Sequence, residues 1–128
     1  MADTGKKVML IEDDRFLSSL LRARLEKDGV TVDQMFDGEN AVERLTAERP
    51  DLVVLDLIMP KINGFEVLKA MSLTPGLDRT PVVIVSNLAQ DSDIEKARQL
   101  GAKAYFVKVK ISIDDLIGKI ENLTKEPL

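Results

Sequence analysis

Residues 52–56 read Leu-Val-Val-Leu-Asp, four aliphatic side chains in unbroken succession closed by a carboxylate. A strand with one wet face alternates apolar and polar residues. A short continuous apolar run fits instead a strand covered on both faces, as in a parallel sheet. The same unit stands at Val8-Met9-Leu10-Ile11, followed by Glu12-Asp13-Asp14, and at Val82-Val83-Ile84-Val85, followed by Ser86-Asn87. With their flanks and two further β-branched or aromatic segments, the expected strands are Lys7–Ile11, Val30–Phe36, Asp51–Leu55, Pro81–Val85 and Ala104–Val107. Val30-Thr31-Val32-Asp33 alternates, which predicts a place nearer an edge.

Between the runs the period changes to that of a helix. Leu17, Leu20, Leu21 and Leu25 share one face, with Gly29 where a C-terminal cap belongs. Ala41, Val42 and Leu45 mark a second helix, stopped by Pro50. Gly64, Val67, Leu68 and Met71 mark a third, ended before Pro75-Gly76. Ser92 and Glu95 have the spacing of a capping box for a fourth, which ends at Gly101. Leu116, Ile120 and Leu123 form the stripe of a fifth, with Ser112 as its N-cap. Neither internal repeat nor linker interrupts the alternation. It predicts an α/β fold, a doubly wound five-stranded parallel sheet between two layers of five helices, as one domain over 1–128 with its core at about 7–123.

Composition removes whole classes of chemistry. The 128 residues include no His and no Cys, so no imidazole base, catalytic triad, thiolate nucleophile or Cys-ligated metal site is available. Any chemistry runs on carboxylates, hydroxyls, lysine and oxygen-bound metals. Eighteen basic residues against 22 acidic ones give a net charge of −4, the wrong sign for direct nucleic-acid binding. Lys6-Lys7 is followed by only four apolar residues, Val8 to Ile11. A secretory signal needs roughly 7–15 and a membrane span about 20, so the chain is expected in the cytoplasm, away from membranes.

Right-handed crossovers put the functional loops of such a sheet at the carboxyl ends of its strands. Glu12, Asp13 and Asp14 follow the first run, Asp56 the third, Ser86 and Asn87 the fourth, and Lys108 the fifth. Close carboxylates resist ionising together unless a cation bridges them. Mg²⁺ takes oxygen ligands and is commonly held by a few carboxylates plus substrate phosphate. Three negative charges from Glu12, Asp13 and Asp56 balance Mg²⁺ and Lys108, while Ser86 can donate to a phosphoryl oxygen. A carboxylate so placed can attack phosphorus, and Asp56, with a rigid strand behind it, is the candidate nucleophile. Taken singly each residue has an ordinary role: Asp14 as a helix N-cap, Asp56 or Ser86 in a turn, Lys108 as a strand-end charge reaching water. Their coincidence at four strand ends is what points to a site.

The acidic pair Glu12-Asp13, the string Asp56-Leu57-Ile58-Met59-Pro60 with Gly64 four residues on, Ser86, Tyr105 and Lys108 resemble the response-regulator receiver domains of two-component signalling, the chemotaxis-regulator-like family. The likeness covers about Lys7 to Leu123. It implies a flavodoxin-like sheet in the order 2-1-3-4-5. It implies that Asp56 takes a phosphoryl group from the phosphohistidine of a partner histidine kinase or phosphotransfer protein. It further implies Mg²⁺, replaceable by Mn²⁺, on Asp13, Asp56 and the carbonyl of Ile58, with Glu12 acting through water. Ser86 and Lys108 would hold the phosphoryl oxygens. Ser86 and Tyr105 would report occupancy to the face of the fourth helix, fifth strand and fifth helix. A protein target and a monomer, or a weak phosphorylation-dependent dimer, follow in the same way.

The sequence departs from the family pattern in three places. Val109 stands where Pro usually follows the lysine, so the Lys108–Val109 peptide is expected trans, since a cis bond before Val costs roughly 2.5–4 kcal/mol. Asn87 replaces a small residue and can crowd or hydrogen-bond the phosphoryl group. Ile58 and Leu88, two beyond Asp56 and Ser86, are bulky and apolar and are expected to exclude hydrolytic water. Two rivals remain. One is a receiver portion of a longer regulator. The other is a phosphate-handling enzyme or flavin binder on the same fold, disfavoured because Ile58 occupies the place of a second Asp and the first strand-end loop is acidic.

Overall fold

The computed structural model describes residues 3–125. Five strands, β1 (Lys7–Ile11), β2 (Thr31–Met35), β3 (Leu52–Leu55), β4 (Val82–Ser86) and β5 (Ala104–Val107), alternate with five helices. The helices are α1 (Arg15–Lys27), α2 (Ala41–Glu48), α3 (Gly64–Ser72), α4 (Asp91–Gln99) and α5 (Ile113–Thr124), with a short 3₁₀ turn at Lys108–Lys110. All strand pairs are parallel and the order is β2-β1-β3-β4-β5, the doubly wound sheet expected.

Period two explains the unbroken apolar runs. Met9, Ile11, Val53, Leu55, Val82 and Ile84 face one core with residues of α2, α3 and α4. Their neighbours Val8, Leu10, Leu52, Val54, Val83 and Val85 face the other, with residues of α1 and α5. The apolar runs of the three central strands are covered on both faces, and polar residues enter only at the strand ends, at Lys7 and Ser86. The register then aligns the strand ends. Ile11 pairs with both Met35 and Leu55, and Ser86 pairs with Val107. Glu12, Asp56 and Lys108 therefore leave the sheet at one edge.

The punctuation follows the sequence in most places. Asp14 Oδ1 accepts from the Leu17 N–H at 3.1 Å and Ser112 Oγ from the Asp115 N–H at 3.1 Å, so both cap as expected. After α1, the Val30 N–H reaches the Leu25 carbonyl and the Gly29 N–H the Glu26 carbonyl, each at 3.0 Å. This Schellman closure needs the left-handed φ of 87° at Gly29. The capping box at Ser92 and Glu95 does not form. α4 begins at Asp91, so Ser92 lies inside its first turn, and Glu95 is turned toward Arg98 instead. Acidic Asp91 and Asp93 complement the positive helix end in its place. β2 is shorter than expected, β3 begins one residue later, and β4 is shifted by one residue at both ends, so that Ser86 is its last residue. The Lys108–Val109 peptide is trans, as expected, and the chain there re-routes through the 3₁₀ turn.

Gly64, the first residue of α3, fixes how that helix meets the end of β3. Its N–H donates to the Leu57 carbonyl at 2.9 Å. A Cβ there would collide with the Asp56 carbonyl oxygen and lie 2.7 Å from the Leu57 Cα. Gly118, within α5, has nothing within 4 Å of such a Cβ. Gly64→Ala is accordingly expected to destabilise the fold by about 1–3 kcal/mol through overpacking. Gly118→Ala should stabilise it by about 0.5–1 kcal/mol. Urea unfolding of the two variants beside the parent checks both signs.

Candidate functional site

The site is assembled by backbone that continues the sheet one residue past its paired ends. The Glu12 N–H donates to the Met35 carbonyl and the Asp56 N–H to the Ile11 carbonyl, both at 3.0 Å. These bonds pull two carboxylates down to the rim, where Glu12 is 3% and Asp56 4% exposed. Asp13, the next residue, is exposed. Carboxylate oxygens of Glu12, Asp13 and Asp56 lie within 4.8 Å of one another.

Lys108 enters from the end of β5 and binds both buried acids. Its Nζ lies 2.9 Å from Asp56 Oδ2, 3.0 Å from Glu12 Oε1 and 2.9 Å from Glu12 Oε2. Glu12 also accepts from the Asp14 N–H at 3.0 Å, and Asp56 Oδ1 from the Ile58 N–H at 3.3 Å. One lysine cannot neutralise three carboxylates. Burial, and then the negative charge of Asp56, push the Glu12 carboxyl up to about 7 against the pull of Lys108 and the Asp14 N–H. Burial alone would lower Lys108. The hydrogen bonds and charges of Asp56 and Glu12 together carry it above its ordinary value instead. The hard oxygen donors and the surplus negative charge suit a divalent cation such as Mg²⁺ or Mn²⁺.

The remaining residues divide by position. Ser86 is fully buried, with its Oγ accepting from the Leu88 N–H at 3.3 Å. Asn87 is exposed beside it. Leu88 is half-buried against the α2–α4 core, and its carbonyl accepts from the Tyr105 hydroxyl at 2.7 Å. Burial, followed by the charges of Asp93 and Asp56, raises the Tyr105 hydroxyl above its usual range. Ile58 is 55% exposed. The structure thus brings Glu12, Asp13, Asp56 and Lys108 into one cluster, ties Leu88 to Ser86 and Tyr105, and leaves Asn87 and Ile58 open to solvent. The N–H groups of Asp14 and Ile58 and the Leu88 carbonyl went unread in the sequence, because backbone groups carry no side-chain signal.

A family model described as the response regulator receiver domain matches residues 8–121. PhoB, a phosphate regulon transcriptional regulatory protein of Rhizobium meliloti, is 30% identical over 119 residues, covering 93% of this chain and 52% of that protein. The transcriptional regulatory protein CpxR of Escherichia coli K12 is 39% identical over 102 residues, covering 80% of this chain and 42% of that protein. Among solved structures, the Mn²⁺-bound form of response regulator Rcp1 is 28% identical, with a TM-score of 0.85 over 96% of this chain and 98% of that one. The chain spans about half the length of these curated regulators.

Crowded charge makes two stability effects measurable. Asp56→Asn removes one carboxylate while its amide oxygen can still accept from Lys108. The metal-free variant is expected to gain about 1 kcal/mol at pH 8, the equivalent of a pKa unit. Millimolar Mg²⁺ should raise the thermal midpoint of the parent by ligand linkage, and that of the variant less. Denaturant curves and thermal melts with and without the ion check both.

Proposed function

The chain belongs to the response-regulator receiver family, and from that premise we propose that Asp56 is its phosphoacceptor, charged by a histidine kinase or phosphotransfer protein in the presence of Mg²⁺. The observation that carries this is the near-buried Asp56 carboxylate held at 2.9 Å by Lys108, with the oxygens of Glu12 and Asp13 within 4.8 Å. The donor histidine comes from the partner, because this chain has none.

In this reading an Asp56 carboxylate oxygen attacks the phosphorus of the partner's phosphoimidazole. The P–N bond breaks, and its electron pair leaves with the imidazole, which takes up a proton from water. The product is an acyl phosphate on Asp56. Asp13, Asp56 and the Ile58 carbonyl would hold Mg²⁺, with Glu12 acting through water, and the bound ion would supply positive charge against the oxygens of the transferred group. Lys108 turns from its carboxylate pair toward a phosphoryl oxygen. Ser86 supplies a second donor, and Asn87, exposed at the same strand end, a third.

Output follows from the same links. A Ser86 hydroxyl drawn toward the phosphoryl group gives up its contact with the Leu88 N–H. The Leu88 carbonyl is the acceptor for Tyr105, so the loop and the tyrosine rearrange together. The response then passes to a protein target on the α4–β5–α5 face, by a monomer or a weak phosphorylation-dependent dimer. With a net charge of −4, the chain is read as acting without direct nucleic-acid contact. No helix among the described residues is long and apolar enough to cross a membrane, and we assign the protein's action to the cytoplasm.

Incubation with Mg²⁺ and a small acyl-phosphate donor is expected to add one phosphate by intact mass, and Asp56→Asn none. A gain of phosphate by the variant at the parental rate would contradict the assignment. Once the donor is removed, the phosphorylated parent should decay slowly, because two branched side chains flank the approach of an in-line water. The double variant Ile58→Asn, Leu88→Glu is expected to decay ten- to a hundredfold faster, about 1.4–2.7 kcal/mol off the barrier. Ile58 should carry the larger share, since Leu88 is partly committed to the core.

A further inference from the structure

The edge of the sheet opposite Asp56 carries a second pair of acids that the phosphoryl chemistry does not use. Asp28 follows the last turn of α1 and Glu121 lies in the last turns of α5, and both line a cleft of about 450 Å³ with Thr4, Lys6, Val30 and Lys125. The neighbouring backbone is firmly held. The Thr4 N–H and hydroxyl both donate to the Gly29 carbonyl, at 2.8 and 3.0 Å, and α5 is anchored by fully buried Ile120 and by Thr124. The backbone segments that carry the two carboxyls are therefore held in place on either side of the cleft.

Glu121 Oε2 is the one buried side-chain polar atom without a hydrogen-bond partner among the described residues. A buried polar atom left unpaired is destabilising. As a carboxylate Glu121 can only accept, and what faces it is another acceptor, Asp28. As a carboxylic acid it becomes a donor, and Asp28 is then its partner. Three cations lie nearby. Arg24 is engaged by Asp114 at 2.8 Å, Lys125 is exposed, and Lys6 lines the cleft without being among the groups that shift Glu121. Burial first, and then the hydrogen bond and charge of Asp28, hold the Glu121 carboxyl at about 7, with Lys125 and Arg24 pulling weakly the other way.

We propose that Asp28 and Glu121 share one proton and form a pH-gated clasp between the end of α1 and the end of α5, separate from the phosphoryl site. While the proton is in place the clasp is closed. When it leaves, two facing carboxylates repel, and the last turns of α5 loosen from α1. The folded-state value lies above the ordinary 4.5, so the stability supplied by the proton is fully present below about 4.5 and is lost as pH rises through about 7. The α1–α5 face is thereby altered between mildly acidic and mildly alkaline conditions, whether or not Asp56 is phosphorylated.

Carbon-detected NMR of the side-chain carboxyls, on the full chain, reads the pair directly. The Glu121 signal is expected to titrate near 7, and Asp28→Asn should move that midpoint down toward 4.5. Thermal melts of the parent and of Glu121→Gln, whose amide can donate to Asp28 at any pH, give a second readout. The variant's advantage should grow from pH 6 to pH 8, while the titration of Glu12, common to both proteins, cancels in the difference. Hydrogen exchange of residues 119–124, corrected for its intrinsic pH dependence, should accelerate over the same range in the parent alone. A Glu121 midpoint at its ordinary value, a midpoint that ignores Asp28→Asn, or a parent–variant difference independent of pH would overturn the clasp.

Discussion

Lys108 Nζ bridges Glu12 and Asp56 at about 3 Å, and through them ties the ends of β1, β3 and β5. Three ionisable groups with little exposure to water are an expensive arrangement. Removing charges from water costs several kcal/mol per ion, and mutual attraction recovers that only with good geometry. The bridge cannot be what holds the sheet together. The sheet has to be stable enough, from two apolar cores and central strands covered on both faces, to hold the bridge in spite of its cost. Glu12, raised to about 7 by burial and then by the charge of Asp56, remains short of compensating positive charge even with Lys108 beside it.

That shortage links the static structure to its use. In the proposed reading a bound cation would supply the positive charge that the carboxylates lack, and Lys108 would then be free to turn from them toward a phosphoryl oxygen. A turn of Ser86 toward a phosphoryl group would act on atoms already connected to the surface. The Leu88 N–H rests on Ser86 Oγ, and the Leu88 carbonyl on the Tyr105 hydroxyl. A hydrogen-bond relay of three residues therefore joins a buried strand end to a half-buried ring between β5 and α4. It is short, and it begins at one of the groups that would hold phosphate.

The parts of this architecture legible in the sequence were those written in side chains with a period. Leu52–Leu55 and Val82–Val85 announce covered strands because both faces are apolar, and the strand ends then name Glu12, Asp56, Ser86 and Lys108 without further help. Boundaries were less legible. Ser92 looked like a cap by spacing, yet the helix begins at Asp91, since several polar residues in Gln90-Asp91-Ser92-Asp93 can each start a helix and tertiary packing chooses among them. The reason for Gly64 was not visible either. Its missing Cβ answers to the Asp56 carbonyl, which is near only after β3 and α3 have packed. The meeting of Asp28 and Glu121 at one cleft is likewise a product of topology, since 93 residues separate them in sequence.

The central claim is that the acidic rim and Lys108 form one phosphoryl-binding centre on Asp56. A crystal structure of the protein with Mg²⁺ and beryllofluoride, a stable mimic of the acyl phosphate, tests it most directly. The account predicts beryllium bonded to an Asp56 carboxylate oxygen, Mg²⁺ on Asp13, Asp56 and the Ile58 carbonyl, and fluorines within hydrogen-bond reach of Ser86 Oγ and Lys108 Nζ. A beryllofluoride group bound elsewhere, or a Lys108 still seated between Glu12 and Asp56 with the mimic in place, would contradict it.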